Sequence, residues 1–216
     1  MLSKMRNFLL SPRSFFEELN NESIPLWKLF LLTYLLGLVV AFNGAFKNYI
    51  GLNLDLLQVL ATVLFNGLLN GLVLIVVFVP LFKWIGNMLK GEGTWKRIYQ
   101  MILFASLPLI MTLILWVIEI AIYGNFFTKG FIYYHAYGSM RVDQPIRFYI
   151  HLIVSVLHIL AFFHTLILLF IGLSKAHSIK FWKSVIVLIL SSVVGFFIIA
   201  LLASIVHASI VVFGGV

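Results

Sequence analysis

Five long apolar runs, separated by short and mostly basic loops, constrain this chain more than any other feature. They lie at about Leu26–Phe46, Leu56–Phe82, Ile98–Tyr123, Tyr149–Leu173 and Ser184–Phe213. A helix needs ~20 apolar residues to cross a hydrocarbon core, and each run is long enough. Backbone groups inside a bilayer find no water, so each run must satisfy its own hydrogen bonds as a helix. The expected fold is all-α: an integral membrane bundle of five transmembrane helices with a short N-terminal amphipathic helix. Residues 1–25 read as a cytoplasmic amphipathic segment and residues 26–216 as one five-span membrane domain.

Composition agrees. The 216 residues are 62% hydrophobic and 10% charged, against ~25% charged in a soluble domain. The net charge of +8 resides in juxtamembrane loops rather than on one continuous face. It therefore points to anionic lipid headgroups and away from nucleic acid. Cysteine is absent, which excludes disulfides, thiolate ligands and thiol catalysis. Met1–Leu10 carries Lys4 and Arg6, but its apolar core Phe8-Leu9-Leu10 is shorter than the ~7–15 residues of a secretory signal. The N-terminus is expected to stay attached, with the first run as the anchor.

The loop charges set an orientation. Lys4, Arg6, Arg13 and Lys28 flank the first run, Lys83, Lys90, Lys96 and Arg97 follow the second, and Lys175, Lys180 and Lys183 follow the fourth. The opposite loops carry only Lys47, Lys129, Arg141 and Arg147. Eleven against four predicts an inside N-terminus and, with an odd number of spans, an outside C-terminus. On the inner side Lys90, Lys96, Arg97, Lys175, Lys180 and Lys183 are expected to meet anionic headgroups at ~1 kcal/mol each.

Ahead of the first run, Ser11-Pro12 offers a cap followed by proline at the first helical position. Ser14 and Glu17 have capping-box spacing, which predicts a short helix over Phe15–Leu19. Its aromatic face either lies in the headgroup boundary or docks on the bundle, since both need one amphipathic pattern. Further on, Gly91-Glu92-Gly93 predicts a flexible turn, Thr94 a cap for the third span and Trp95 an interfacial anchor. Pro108 predicts a kink in that span.

Three segments carry a resemblance. Ser11-Pro12-Arg13-Ser14-Phe15-Phe16-Glu17-Glu18-Leu19 resembles the opening of the Yip1 domain family. The stretch from Gly86 through Gly91-Glu92-Gly93-Thr94-Trp95-Lys96-Arg97 to Ala105-Ser106-Leu107-Pro108 is similar to that family's central loop and third span. Ile171-Gly172-Leu173-Ser174-Lys175-Ala176-His177, with Trp182-Lys183 beyond, resembles the junction of its fourth and fifth spans. Eukaryotic members are associated with traffic between the endoplasmic reticulum and the Golgi, binding Rab GTPases and one another. Those members have a long cytosolic N-terminal region, whereas 25 residues precede the first run here. The chain looks like the short bacterial and archaeal members, which implies a prokaryotic cell membrane.

Polar residues within the spans are the candidate functional positions. Asn66 and Asn70 stand beside Gly67 and Gly71 with the same four-residue spacing. The glycines permit close helix approach, and the amides can bond across the contact for ~0.6–2 kcal/mol; a mid-membrane polar pathway is the competing reading. Glu119 lies roughly 13 Å, His151 about 15 Å and His207 about 13 Å to the outer side of their run centres at 1.5 Å per residue. Either these three form a buried polar cluster able to hold a cation, or each sits separately near the outer interface. His158 and His164 point about 120° apart on one helix and are no ligand pair. No zinc or nucleophile-elbow motif is present, so neither metal nor cofactor is expected, and no catalytic residue is assigned. The aromatic outer loop Gly124–Phe148 either rests on the headgroups or caps the bundle.

The sequence thus predicts a non-catalytic polytopic membrane protein, a membrane-organising or protein-interaction scaffold. Its expected partners are membrane lipids and other membrane proteins or itself. The alternative is a small transporter or channel with a polar path through Asn66, Asn70, Glu119 and the membrane histidines. A dry, Phe- and Leu-filled centre favours the scaffold.

Overall fold

A computed structural model describes residues 8, 10–22, 24–48, 50, 53–123 and 145–213, and the side chains of these except 123, 145–148 and 205–213. The N-terminal cations Lys4 and Arg6, most of the outer loop 124–148 and the His207 side chain lie outside the described residues. Among those described, every regular element is helical: α1 Pro12–Asn21, α2 Leu26–Lys47, α3 Leu56–Val73, a π turn Leu74–Phe78, α4 Val79–Met88, α5 Trp95–Ala105, α6 Leu107–Tyr123, α7 Pro145–His177 and α8 Phe181–Phe213.

Four helical stretches are long and apolar enough to cross a membrane: Leu26–Lys47, Leu56–Met88, Tyr149–His177 and Phe181–Ser204. The fifth is a pair, Trp95–Ala105 and Leu107–Ile122, bent by 40°. Its cause is local. Pro108 cannot donate to the preceding turn, and its ring crowds the carbonyl four residues back. The break falls at Ser106, whose hydroxyl donates to the Ile102 carbonyl at 2.8 Å. A second proline, Pro80, stands two residues past the π turn. Widening that turn accommodates the missing N–H without ending the long run.

The chain divides into two compact units. One comprises Glu22–Leu74 and Ile102–Leu169, the other Met1–Asn21, Ile75–Met101 and Phe170–Val216. Three of the four boundaries, at 74/75, 101/102 and 169/170, fall inside helical stretches, and the fourth follows the end of α1 at Asn21.

Within the first unit, α2 and α3 pack backbone to backbone. A Cβ on Gly37 would stand 2.1 Å from the Gly67 carbonyl oxygen and 2.7 Å from the Gly71 nitrogen. One on Gly67 would meet the Leu38 side chain at 2.5 Å. Three glycines are therefore what lets the helices approach this closely. Asn66 and Asn70 are half-buried beside the contact and bond no side chain across it among the described residues. The α3 helix opens with a full capping box. Asp55 accepts from the Gln58 N–H at 2.8 Å, and the Gln58 amide oxygen accepts from the Asp55 N–H at 3.0 Å. Leu38, Ala41, Ala45, Val59, Val63 and Trp116 form the core here.

In the other unit, α1 begins three residues earlier than Phe15. Ser11 accepts the first helical bond from Phe15 at 3.1 Å and Pro12 is the first helical residue. Ser14 is inside the helix, donating back to the Ser11 carbonyl at 2.9 Å, so the expected Ser14–Glu17 capping box does not form. Phe15, Phe16 and Leu19 are buried. Phe16 lies against Gly172, within 3.5 Å of where a Cβ would be. The apolar face of α1 docks on protein rather than lying in the headgroup layer.

A buried polar triad and a glycine cage

Two polar centres are built from these elements. The first joins α6 to α7. Glu119, only 2% exposed, places Oε1 2.8 Å from Nδ1 of His151. On the next turn of α7, Ser155 Oγ lies 3.3 Å from His151 Nε2. With the carboxylate ionised, Nδ1 donates, and in a neutral ring Nε2 is left to accept from the serine hydroxyl. Phe46 lies 6.4 Å from the His151 ring, and Trp116 stacks on Phe42 with centroids 5.6 Å apart. Burial of the Glu119 side chain strengthens its hydrogen bond to the imidazole.

Glu119 and His151 are therefore adjacent, while the side chain of His207 lies outside the described residues. Among the described residues, no third His, Cys, Asp or Glu joins them to make a metal-binding set. Ser155 is the member that sequence reading missed; the signal was its i,i+4 spacing from His151. Carboxylate, imidazole and hydroxyl in this order can activate a serine nucleophile. His158, two turns on from His151 on the same face of α7, has Nδ1 3.0 Å from the Val154 carbonyl, and its ring meets Trp116 edge-on at 5.3 Å.

The second centre surrounds His177, the last residue of α7, which is fully buried. Three glycines wall its ring. A Cβ would fall 2.1 Å from Cε1 if placed on Gly86, 2.6 Å from Nδ1 on Gly93 and 2.9 Å from Nδ1 on Gly91. The Phe82 backbone lies beside the ring, yet neither ring nitrogen has full hydrogen-bond geometry to a described residue. The Glu92 N–H ties this loop to α7 by donating to the His177 carbonyl at 3.0 Å.

Positive φ falls elsewhere. Lys90 (φ 65°) ends α4 and Ser178 (φ 55°) ends α7. After α4, Gly91 N–H bonds the Gly86 carbonyl at 2.9 Å and Lys90 N–H the Asn87 carbonyl at 2.9 Å. After α7, Ile179 N–H bonds Ser174 at 3.1 Å and Ser178 N–H bonds Lys175 at 3.4 Å. Both are Schellman closures with a non-glycine residue in the left-handed position. The Gly91-Glu92-Gly93 turn walls the His177 ring, and its two glycines serve close approach to the imidazole.

The basic residues divide by partner. Thr94 caps α5 as its position suggests, its Oγ1 accepting from Arg97 N–H at 3.4 Å. Lys175 pairs with Glu17, and Lys183 donates to the Leu89 carbonyl at 3.1 Å. Lys90, Lys96 and Lys180 are exposed, and Arg97 is half-buried.

No curated protein and no solved structure matches the chain. The family description that does match is the Yip1 domain, over residues 6–203. With all-helical architecture, five apolar spans counting the bent pair as one, and that match across most of its length, the chain belongs to the Yip1 domain family.

Proposed function

We propose that this multi-pass integral membrane protein is a non-catalytic scaffold that organises membrane or joins other membrane proteins. The supporting observation is where its intramembrane polar groups go. Thr33, Asn43, Ser106 and Thr112 return their side chains to carbonyls of their own helices at 2.6–2.8 Å. Glu119 is held by His151. The two cavities described are lined by neither Asn66, Asn70, Glu119 nor His151. A transport path needs such groups facing a hydrated cavity; here Glu119 and His151 close on each other. Ser155 likewise borders neither cavity, which favours a structural role for the triad over nucleophilic chemistry.

In this reading the N-terminus is cytoplasmic, the membrane is that of a prokaryotic cell, and the partners are lipids and membrane proteins, including further copies of the chain. Purified protein in sealed vesicles should pass neither protons nor alkali cations above empty vesicles, while crosslinking in native membranes should capture a reproducible partner set. A cation or proton flux abolished by Glu119→Gln or Asn70→Leu would replace the scaffold with the transporter.

A further inference from the structure

We propose that α1 and the last turn of α7 form a binding site for an anionic glycerophospholipid with a polyol headgroup, its phosphodiester on Arg13 and Lys175 and its hydroxyls on Glu17 and Asn20. Two clefts meet here and share Ser174 and Lys175. The smaller, about 230 Å³, is completed by Arg13, Ile171 and Phe181. The larger, about 460 Å³, is completed by Glu17, Asn20, Asn21, Ser178 and Ile179.

The chemistry of the two clefts differs. In the smaller, Ser174 already donates its hydroxyl proton to the Ile179 carbonyl at 2.7 Å, so the side-chain donors are Arg13 and Lys175. Lys175 is tied to Glu17, but an ammonium has three protons and can serve a phosphate as well. A planar guanidinium beside it is suited to phosphate oxygens. At about 230 Å³ the cleft is smaller than the ~300–1,000 Å³ that encloses a whole drug-sized ligand. It suits a headgroup phosphate whose chains leave along Ile171 and Phe181.

The larger cleft presents acceptors. Asn20 Oδ1 is buried without a hydrogen-bond partner among the described residues, and the Glu17 carboxylate lines the same cleft. Both call for donors, which glycerol or inositol hydroxyls supply. Two cations and one carboxylate leave a single positive charge, which matches a polyol phosphodiester and disfavours a zwitterionic headgroup. The location fits: Lys175 is in the last turn of the span Tyr149–His177, and Phe181 opens the next, where headgroups meet hydrocarbon. The inference rests on the membrane fold and not on the scaffold reading, so either can fail alone.

The full chain in phosphatidylcholine nanodiscs, extracted in mild detergent and titrated with phosphatidylglycerol, gives bound lipid by native mass spectrometry. Wild type should bind phosphatidylglycerol more tightly than phosphatidylethanolamine or phosphatidic acid. Arg13→Gln should lower that affinity about tenfold, the ~1.4 kcal/mol of one charge-assisted hydrogen bond. Lys28→Gln, with the same change in net charge, should leave it unaltered. Asn20→Leu should remove the preference over phosphatidic acid while phosphatidic acid still binds. Equal losses for Arg13→Gln and Lys28→Gln would mean diffuse surface attraction and overturn the site. So would equal wild-type binding of phosphatidic acid and phosphatidylglycerol, or displacement of the lipid by soluble glycerol phosphate at matched concentration.

Discussion

The His177 ring and its three glycines show how much one side chain can demand of its neighbours. Gly86, Gly91 and Gly93 leave the ring no space to yield, so adding a methyl group is overpacking. Gly86→Ala should cost about 1–3 kcal/mol in a detergent melting series. The same substitution in a His177→Ala background should cost much less, because the obstructing ring is gone. Additive costs would show that Gly86 is needed for some other reason. At the triad, Glu119→Leu should cost about 1–3 kcal/mol by leaving the imidazole without its acceptor. Glu119→Gln, which keeps a hydrogen-bonding oxygen, should cost less than Glu119→Leu. If the two were equal, the 2.8 Å contact with His151 would contribute little to stability.

At the scale of elements, helices stand or fall on backbone approach and on breakers. Gly71→Leu should disturb folding far more than Leu69→Ala, since Gly71 faces the Thr33 backbone while Leu69 is 44% exposed. Gly37→Ala should be worse than expected for one methyl group, because the obstructing atoms are backbone and cannot rotate away. A melting series that ranked Leu69→Ala as the more damaging would remove glycine packing as the basis of the α2–α3 contact. The Gly67/Gly71 spacing was legible in the sequence, but Gly37 was not, because one glycine carries no period. The kink near Pro108 was legible for the same reason that Pro80 should have been: each removes a donor inside an apolar run. The left-handed positions were hidden. They fall on Lys90 and Ser178, residue types that do not advertise positive φ, while the adjacent glycines answer an imidazole far away in the chain. Ser155 was legible only once His151 was known to face Glu119.

At the scale of the whole molecule, length and hydropathy suffice for five spans, because the bilayer imposes a length that few other environments require. They do not reveal the division into two compact units, three of whose four boundaries fall within helical stretches. Orientation rests on the distribution of cations, and the absence of cysteine makes it directly measurable. Single cysteines at Glu92, Ser178, Gly138 and Val216 can be probed in intact cells with a membrane-impermeant thiol reagent. Five spans with a cytoplasmic N-terminus predict that Gly138→Cys and Val216→Cys label from outside, while Glu92→Cys and Ser178→Cys label only after the membrane is opened. Labelling of Glu92→Cys in intact cells would contradict both the orientation and the placement of the glycine loop on the cytoplasmic face.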